Sequence, residues 1–278
     1  MADFEMNPPW DTESVTNVTI GGSVTSIGDC AFYNCSSLSS LDIPGSVTSI
    51  GYSAFAGSGL ETLRLADGVA SIGRTAFTNC SALRSVVIPS SVVSIGDQAF
   101  TGCPRLSITV DEGSEHFVTD GMGALYDLGM TRLLWFPQSG TSTIDSKYVI
   151  PTTVTKIAAG AFHDCRGVVY MALPGTVETI GDMAFFNSGL VTLKLADGVK
   201  SIGKNAFAGC PLSYLVMADT VETFQFGAFH GCNFKDAAGK EFSDPDYDAI
   251  KGRKYVADTD GTLVEYMPKV GGRSSWTA

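Results

Sequence analysis

Residues 69–89 read Val69-Ala70-Ser71-Ile72-Gly73-Arg74-Thr75-Ala76-Phe77-Thr78-Asn79-Cys80-Ser81-Ala82-Leu83-Arg84-Ser85-Val86-Val87-Ile88-Pro89. Two signatures are joined in that stretch, and both recur. The first, V-x-x-I-G-x-x-A-F, appears again as Val24 to Phe32, Val47 to Phe55, Val92 to Phe100, Val177 to Phe185 and Val199 to Phe207. Degraded copies run from Val154 to Phe162, with Ala158 in place of the glycine, and from Val221 to Phe229, with Phe224 and Gln225 in place of Ile-Gly. Phenylalanines 32, 55, 77 and 100 are 23, 22 and 23 residues apart, and 162, 185, 207 and 229 are 23, 22 and 22 apart. A fixed period of this length marks stacked coils, none of which can bury its apolar face alone. The 62 residues from Phe100 to Phe162 hold one repeat plus an insertion of about 39.

The second signature follows each Ala-Phe: x-x-C, then L-x-x-L-x-I-P, as in Cys80, Leu83, Val86, Ile88 and Pro89. Its alternation turns Leu83, Val86 and Ile88 inward on a short strand. Copies begin at Val15, Leu38, Leu60, Leu83, Leu106, near Tyr148, Val168, Leu190 and Leu212. Where a copy is one residue shorter, as from Phe55 to Leu60, the loss falls in the turn and the strand stays intact. With coils stacked at ~4.8 Å, about five buried side chains per coil at ~1.5–3 kcal/mol each are the main stabilising contribution.

These residues resemble the BspA-like leucine-rich repeats, whose unit reads L-x-x-I-x-I-P-x-x-V-x-x-I-G-x-x-A-F-x-x-C. The likeness covers about residues 15–110 and 144–234. It implies a right-handed leucine-rich-repeat solenoid with one parallel β-sheet of short strands and a short helical turn at each Ala-Phe on the opposite side. It further implies a surface-exposed or extracellular adhesin or host-interaction protein. The organisation expected is a lead-in over 1–14, coils over 15–110, a β-hairpin insertion over 111–147, coils over 148–234, a C-terminal cap over 235–269 and a tail over 270–278. The insertion is too rich in aromatic and aliphatic residues for a floppy loop (Phe117, Leu125, Tyr126, Leu133, Leu134, Trp135, Phe136). It reads as a hairpin of Ala124 to Tyr126 against Arg132 to Phe136 that extends the sheet from the coil at Leu106. In the cap, Ser243-Asp244-Pro245 opens a short helix to about Ile250, and Asp258-Thr259-Asp260-Gly261 joins two strands.

The composition excludes several classes of function. Of 278 residues, 29 are acidic and 18 basic, so the net charge of -11 makes a phosphate backbone a poor partner. No apolar run approaches the ~18 residues of a membrane span, so insertion into a membrane is not expected. The start Met1-Ala2-Asp3-Phe4-Glu5 lacks the basic and apolar stretches of a signal peptide. Either a cytoplasmic protein or a piece of a longer chain fits that start.

Seven cysteines invite a metal or disulfide reading, but Cys35, Cys80, Cys103, Cys165, Cys210 and Cys232 all fall three residues after the repeat phenylalanine. Ser58 and Ser188 take the same slot in shortened copies, so the ladder reads as small buried free thiols. A bridge between neighbours such as Cys80 and Cys103 is the alternative. Cys30 lies off the ladder and is the candidate reactive thiol. His116, His163 and His230 have no zinc spacing, and His163 and His230 read as solvated turn residues. The acidic residues Asp111, Glu112, Glu115 and Asp120 read as a solvated loop without a regular calcium-ligand pattern. No nucleophile elbow, zincin helix or phosphate loop is present. No catalytic residue, cofactor or metal is assigned. The one place where a pocket is expected is the junction of the insertion with the coils, where Phe117, Tyr126, Trp135 and Phe136 cluster.

What remains is the outward row of each strand. Its members in the first block include Arg64, Arg84 and Val87, and in the second Val169, Tyr170, Lys194, Tyr214 and Val216. The second block is the more apolar, and exposed aromatic and aliphatic groups on an extended face point to a partner. A protein or glycan ligand bound by a monomer is the expectation. A structural spacer within a larger envelope protein is the alternative.

Overall fold

A computed structural model describes residues 10–138, 148–232, 234–235, 241–242, 252–257 and 262–265. Most coils contribute two short strands; those that begin at Val15 and near Tyr148 contribute only the second. The L-x-x-L-x-I segments form Ser40–Ile43, Thr62–Leu65, Ser85–Ile88 and Ser107–Val110, and, later in the chain, Tyr170–Leu173, Thr192–Leu195 and Tyr214–Val216. In the four-residue strands of the coils, outward and buried side chains alternate. Within a sheet, neighbours pair in parallel one repeat apart, as Leu41 with Leu63 and Met171 with Leu193, but the single sheet expected is divided: the first block's strands form two two-stranded sheets, and those of the second block a third.

The V-x-x-I segments make a second set of parallel strands, which the repeat pattern did not lead us to expect. Ser26–Ile27, Ser49–Ile50, Ser71–Ile72 and Ser94–Ile95 form one sheet. Lys156–Ile157, Thr179–Ile180, Ser201–Ile202 and Thr223–Phe224 continue the pattern in the second block.

The expected helical turns are absent: the described residues contain no helix. The reason is conformational. Two residues in each coil, two before and two after the phenylalanine, adopt positive φ, for example Thr75 and Asn79 around Phe77 and Met183 and Asn187 around Phe185. Left-handed residues four apart leave no room for a helical turn. The chain instead makes four-residue turns, with the Ala76 N–H donating to the Gly73 carbonyl at 3.2 Å and the Thr78 N–H to the Thr75 carbonyl at 3.0 Å. Coils are tied together here as well, since the Phe77 N–H donates to the Ala99 carbonyl at 2.8 Å.

The phenylalanines stack as a ladder inside these turns. Phe32, Phe55, Phe77 and Phe100 have successive ring centroids 5.1, 5.3 and 5.5 Å apart. The ladder restarts at Phe136, 4.8 Å from Phe162, and runs on through Phe185, Phe207 and Phe229. Phe136 lies inside the insertion, and its N–H donates to the Ala161 carbonyl at 2.9 Å, as Phe77 does to Ala99. The insertion therefore contains a disguised coil.

That finding corrects the expected placement of the hairpin. Leu125–Asp127 pairs antiparallel with Phe117–Thr119 and with Arg132–Trp135. Arg132–Trp135 then pairs in parallel with Lys156–Ile157, so the hairpin extends the V-x-x-I sheet of the second block and not the sheet at Leu106. Leu133 is in register with Ile157, which gives it the place of a repeat isoleucine. Leu125, Leu134 and Trp135 pack into the first block's core, whereas Tyr126, Leu133 and Phe136 pack into the second's. The hairpin is thus the partition between two apolar cores. Arg132, ion-paired to Asp97, fastens it to the first block.

Three other expectations are revised. The segment after Val15 forms no strand; Val15, Val18 and Ile20 pack half-buried on the first core. Asp120 is not a solvated acid. Its Oδ1 accepts the Met122 and Ala124 N–H groups at 2.9 and 3.0 Å, and its Oδ2 accepts the buried Tyr148 hydroxyl at 2.7 Å. Tyr148 also shares a hydrogen bond with Tyr126, and burial pushes both phenols well above their ordinary range. The aromatics expected to line a pocket at the junction, Phe117, Tyr126, Trp135 and Phe136, are instead all buried, and the void described beside Leu125, Leu134 and Trp135 holds only about 10 Å³. The helix expected from Ser243, the turn at Asp258 to Gly261 and the tail from 270 lie outside the described residues.

Candidate strand-face site

The repeat's chemistry-bearing side chains sort by position. All seven cysteines are free thiols. Cys80, Cys103 and Cys210 donate to the carbonyls of Phe55, Phe77 and Phe185 in the preceding coil, at 3.2, 3.1 and 3.1 Å. Ser58 and Ser188 hydrogen-bond to the next ladder thiol at 3.3 Å, which explains why serine shares the slot. Burial raises the thiol of Cys165 and pushes that of Cys210 up to about 11, so these groups stay protonated and structural. Cys30, expected to be reactive, is half-buried, and burial together with Asp29 raises its thiol too. His163 is likewise not solvated. Its ring stacks 5.2 Å from Phe186, its Nδ1 lies 2.9 Å from an Asp164 oxygen, and burial lowers its pKa against the pull of that carboxylate.

The outward strand row is where exposed side chains converge. In the first block Arg64 and Val87 point outward, Val87 at 49% exposure, while Arg84 pairs with Glu61 at 3.7 Å on the surface. Arg64 also borders an open cleft of about 500 Å³ between Ser40–Ile43 and residues 17–20, with Asn17, Thr19 and Asp42 on its walls. In the second block, parallel register sets Tyr170, Thr192 and Tyr214 side by side, with Ala172, Lys194 and Val216 as the next row. Lys194 reaches back between the two rings, its Nζ 5.7 Å from each centroid. Val169 and Val191, 46% and 38% exposed, flank the rings, and Val216 is half-buried beside them. The structure therefore brings Val169, Tyr170, Lys194, Tyr214 and Val216 together, and leaves Arg64, Arg84 and Val87 on the first block's part of the face.

Two members were missed from sequence. Lys254–Ala257 pairs antiparallel with Tyr214–Val216, setting Lys254 opposite Val216 and Val256 opposite Tyr214. Lys254 Nζ lies 5.2 Å from the Tyr214 centroid. The only signal was the period-2 pattern of Lys254, buried Tyr255 and exposed Val256, which fits an outward, inward, outward strand.

Parallel strands at a 22–23-residue period, closed inward on aliphatic and phenylalanine ladders, define a leucine-rich-repeat solenoid. The chain belongs to the BspA type leucine rich repeat family, which it matches in six copies over residues 10–120 and 141–242. Among solved structures it is similar to a leucine-rich repeat protein from Eubacterium ventriosum, at 24% identity and a TM-score of 0.58, covering 74% of this chain and 67% of that one. It is equally similar to a leucine rich cell surface protein from Faecalibacterium prausnitzii, at 24% identity and a TM-score of 0.58, covering 77% and 71%. The pneumococcal vaccine antigen PcpA follows at 22% identity and a TM-score of 0.50, this chain spanning 54% of its length. No protein of curated function matches. Among the described residues no helix is long and apolar enough to cross a membrane.

Proposed function

We propose that this protein is a non-enzymatic recognition module, displayed outside the cell, that binds a protein or glycan partner through the outward strand face of its second block. The observation that carries this reading is the convergence of Tyr170, Lys194, Tyr214 and Lys254 on one sheet surface flanked by exposed valines. Tyrosine gives large contact area at low entropic cost, and lysine over its ring is already partly ordered. Likeness to the Faecalibacterium cell surface protein supports display at the surface. Family and fold support an adhesin-like role without catalysis.

The test is a binding screen of the full chain against immobilised extracellular-matrix proteins and glycans, repeated with Tyr170→Ala, Tyr214→Ala and, on the turn side, Lys204→Ala. For a ligand that is retained, either tyrosine variant weakens binding and Lys204→Ala does not. Unchanged affinity in both tyrosine variants moves the site elsewhere.

A further inference from the structure

Resting on the strand-face reading, we infer that the ligand of the second block is an acidic polysaccharide, a linear chain of sugar rings bearing carboxylates or sulfates. The face has a defined order. Tyr170, Lys194, Tyr214 and Lys254 occupy four successive strands, so aromatic and cation alternate along the stack. Like groups are two strand spacings apart, ~9.6 Å, close to the length of a disaccharide.

Charge selects an anion. The chain carries a net charge of -11, yet the outward side chains of these four strands include no carboxylate among the described residues. Glu265, the nearest acid on the adjoining strand Leu263–Glu265, pairs with Arg253 and is in register with buried Tyr255, on the inward side. A cationic spot on an otherwise acidic surface draws an anionic chain and orients it.

Shape selects a sugar over a folded acidic protein. Protein hot spots sit in well-packed pockets that exclude water. Here the sheet surface is shallow and regular. A pyranose ring lays its C–H face on a tyrosine ring and projects its carboxylate from the ring edge, toward Lys194 on one side and Lys254 on the other. The Thr192 hydroxyl lies between the two rings for a sugar hydroxyl. A repeating polymer matches a repeating array, and each further sugar meets the same chemistry one step along.

The probes are a hyaluronan oligosaccharide, neutral dextran and polyglutamate, titrated against the full chain by calorimetry, with circular dichroism confirming that each variant is folded. Hyaluronan binds, dextran does not, and raising salt weakens hyaluronan binding. Tyr214→Ala and Lys194→Met each cost about tenfold in affinity, ~1.4 kcal/mol, while Lys204→Ala changes nothing. Polyglutamate binding as tightly as hyaluronan and indifferent to Tyr214→Ala identifies an acidic peptide and overturns the proposal. No hyaluronan binding, together with a matrix protein lost in the tyrosine variants, overturns the ligand class while the strand face stands. Hyaluronan binding untouched by every face variant overturns both.

Discussion

Phe185 sits in the middle of the second ladder, fully buried, its ring 4.7 Å from Phe162 and 5.1 Å from Phe207. Truncation to alanine forfeits a burial worth ~1.5–3 kcal/mol. The rings on either side are held by their own coils, so the hole cannot close. A residual cavity of about 100 Å³ adds ~2.4 kcal/mol at ~24 cal/mol per Å³. The expected loss for Phe185→Ala is ~4–5 kcal/mol, and at ~2–4 °C per kcal/mol the melting midpoint falls by about 8–20 °C. Because the hairpin partitions the core, the damage is expected to stay mostly in the second block. Urea unfolding separates the two. In a Trp276→Phe background the remaining tryptophans are Trp10, stacked on Phe32, and Trp135, both belonging to the first block's side. Far-ultraviolet circular dichroism should show the full loss while tryptophan fluorescence shifts less. A loss below ~1 kcal/mol refutes the ladder as a main source of stability. Equal shifts in both signals refute the partition.

Gly198 has a φ of +139°, and a Cβ there would come 1.9 Å from the Gly175 carbonyl oxygen of the preceding coil. Gly198→Ala should therefore cost ~2 kcal/mol or more in urea unfolding, whereas Gly21→Ala, with nothing within 4 Å, should be near neutral. Burial holds the His163 pKa below its unfolded value near ~6.5. The unfolded chain thus takes up the proton first, so stability present above pH ~6.5 is lost as pH falls below it. His163→Gln should flatten that part of the pH–stability curve, and parallel curves would show that the histidine does not contribute. Tyr148→Phe strips Asp120 Oδ2 and the Tyr126 hydroxyl of a partner, at an expected ~1–3 kcal/mol. Hydrogen exchange should then quicken in Leu125–Asp127 and Arg132–Trp135, which in the parent protein exchange far more slowly than an exposed loop.

The coil and its core were legible because both answer to spacing. Leu83, Val86, Ile88 and Phe77 recur at a period that only stacking explains, and all four are buried. The turn conformation was not legible. Asn79 and Gly102 hint at left-handed backbone two residues after the phenylalanine, but Ser53, Thr75, Gln98 and Met183 adopt it two residues before with no such mark. Stacking holds them there against their own preference. Phe136 escaped notice because it follows Trp135 instead of alanine and lies 36 residues after Phe100 and 26 before Phe162. Tyr170, Lys194 and Tyr214 could be placed on one face by alternation alone. Lys254 could not, because it arrives by an antiparallel return of the chain, and nothing local specifies which strand it will meet.

Hydroxyl-radical footprinting, with and without a partner retained in the binding screen, bears on the strand face most directly. Tyr170 and Tyr214 should lose several-fold in oxidation rate when the partner is bound, while Tyr52, exposed on the turn side, keeps its rate. Protection of Tyr52 with no change at Tyr170 and Tyr214 would place recognition on the turns and contradict the strand-face function.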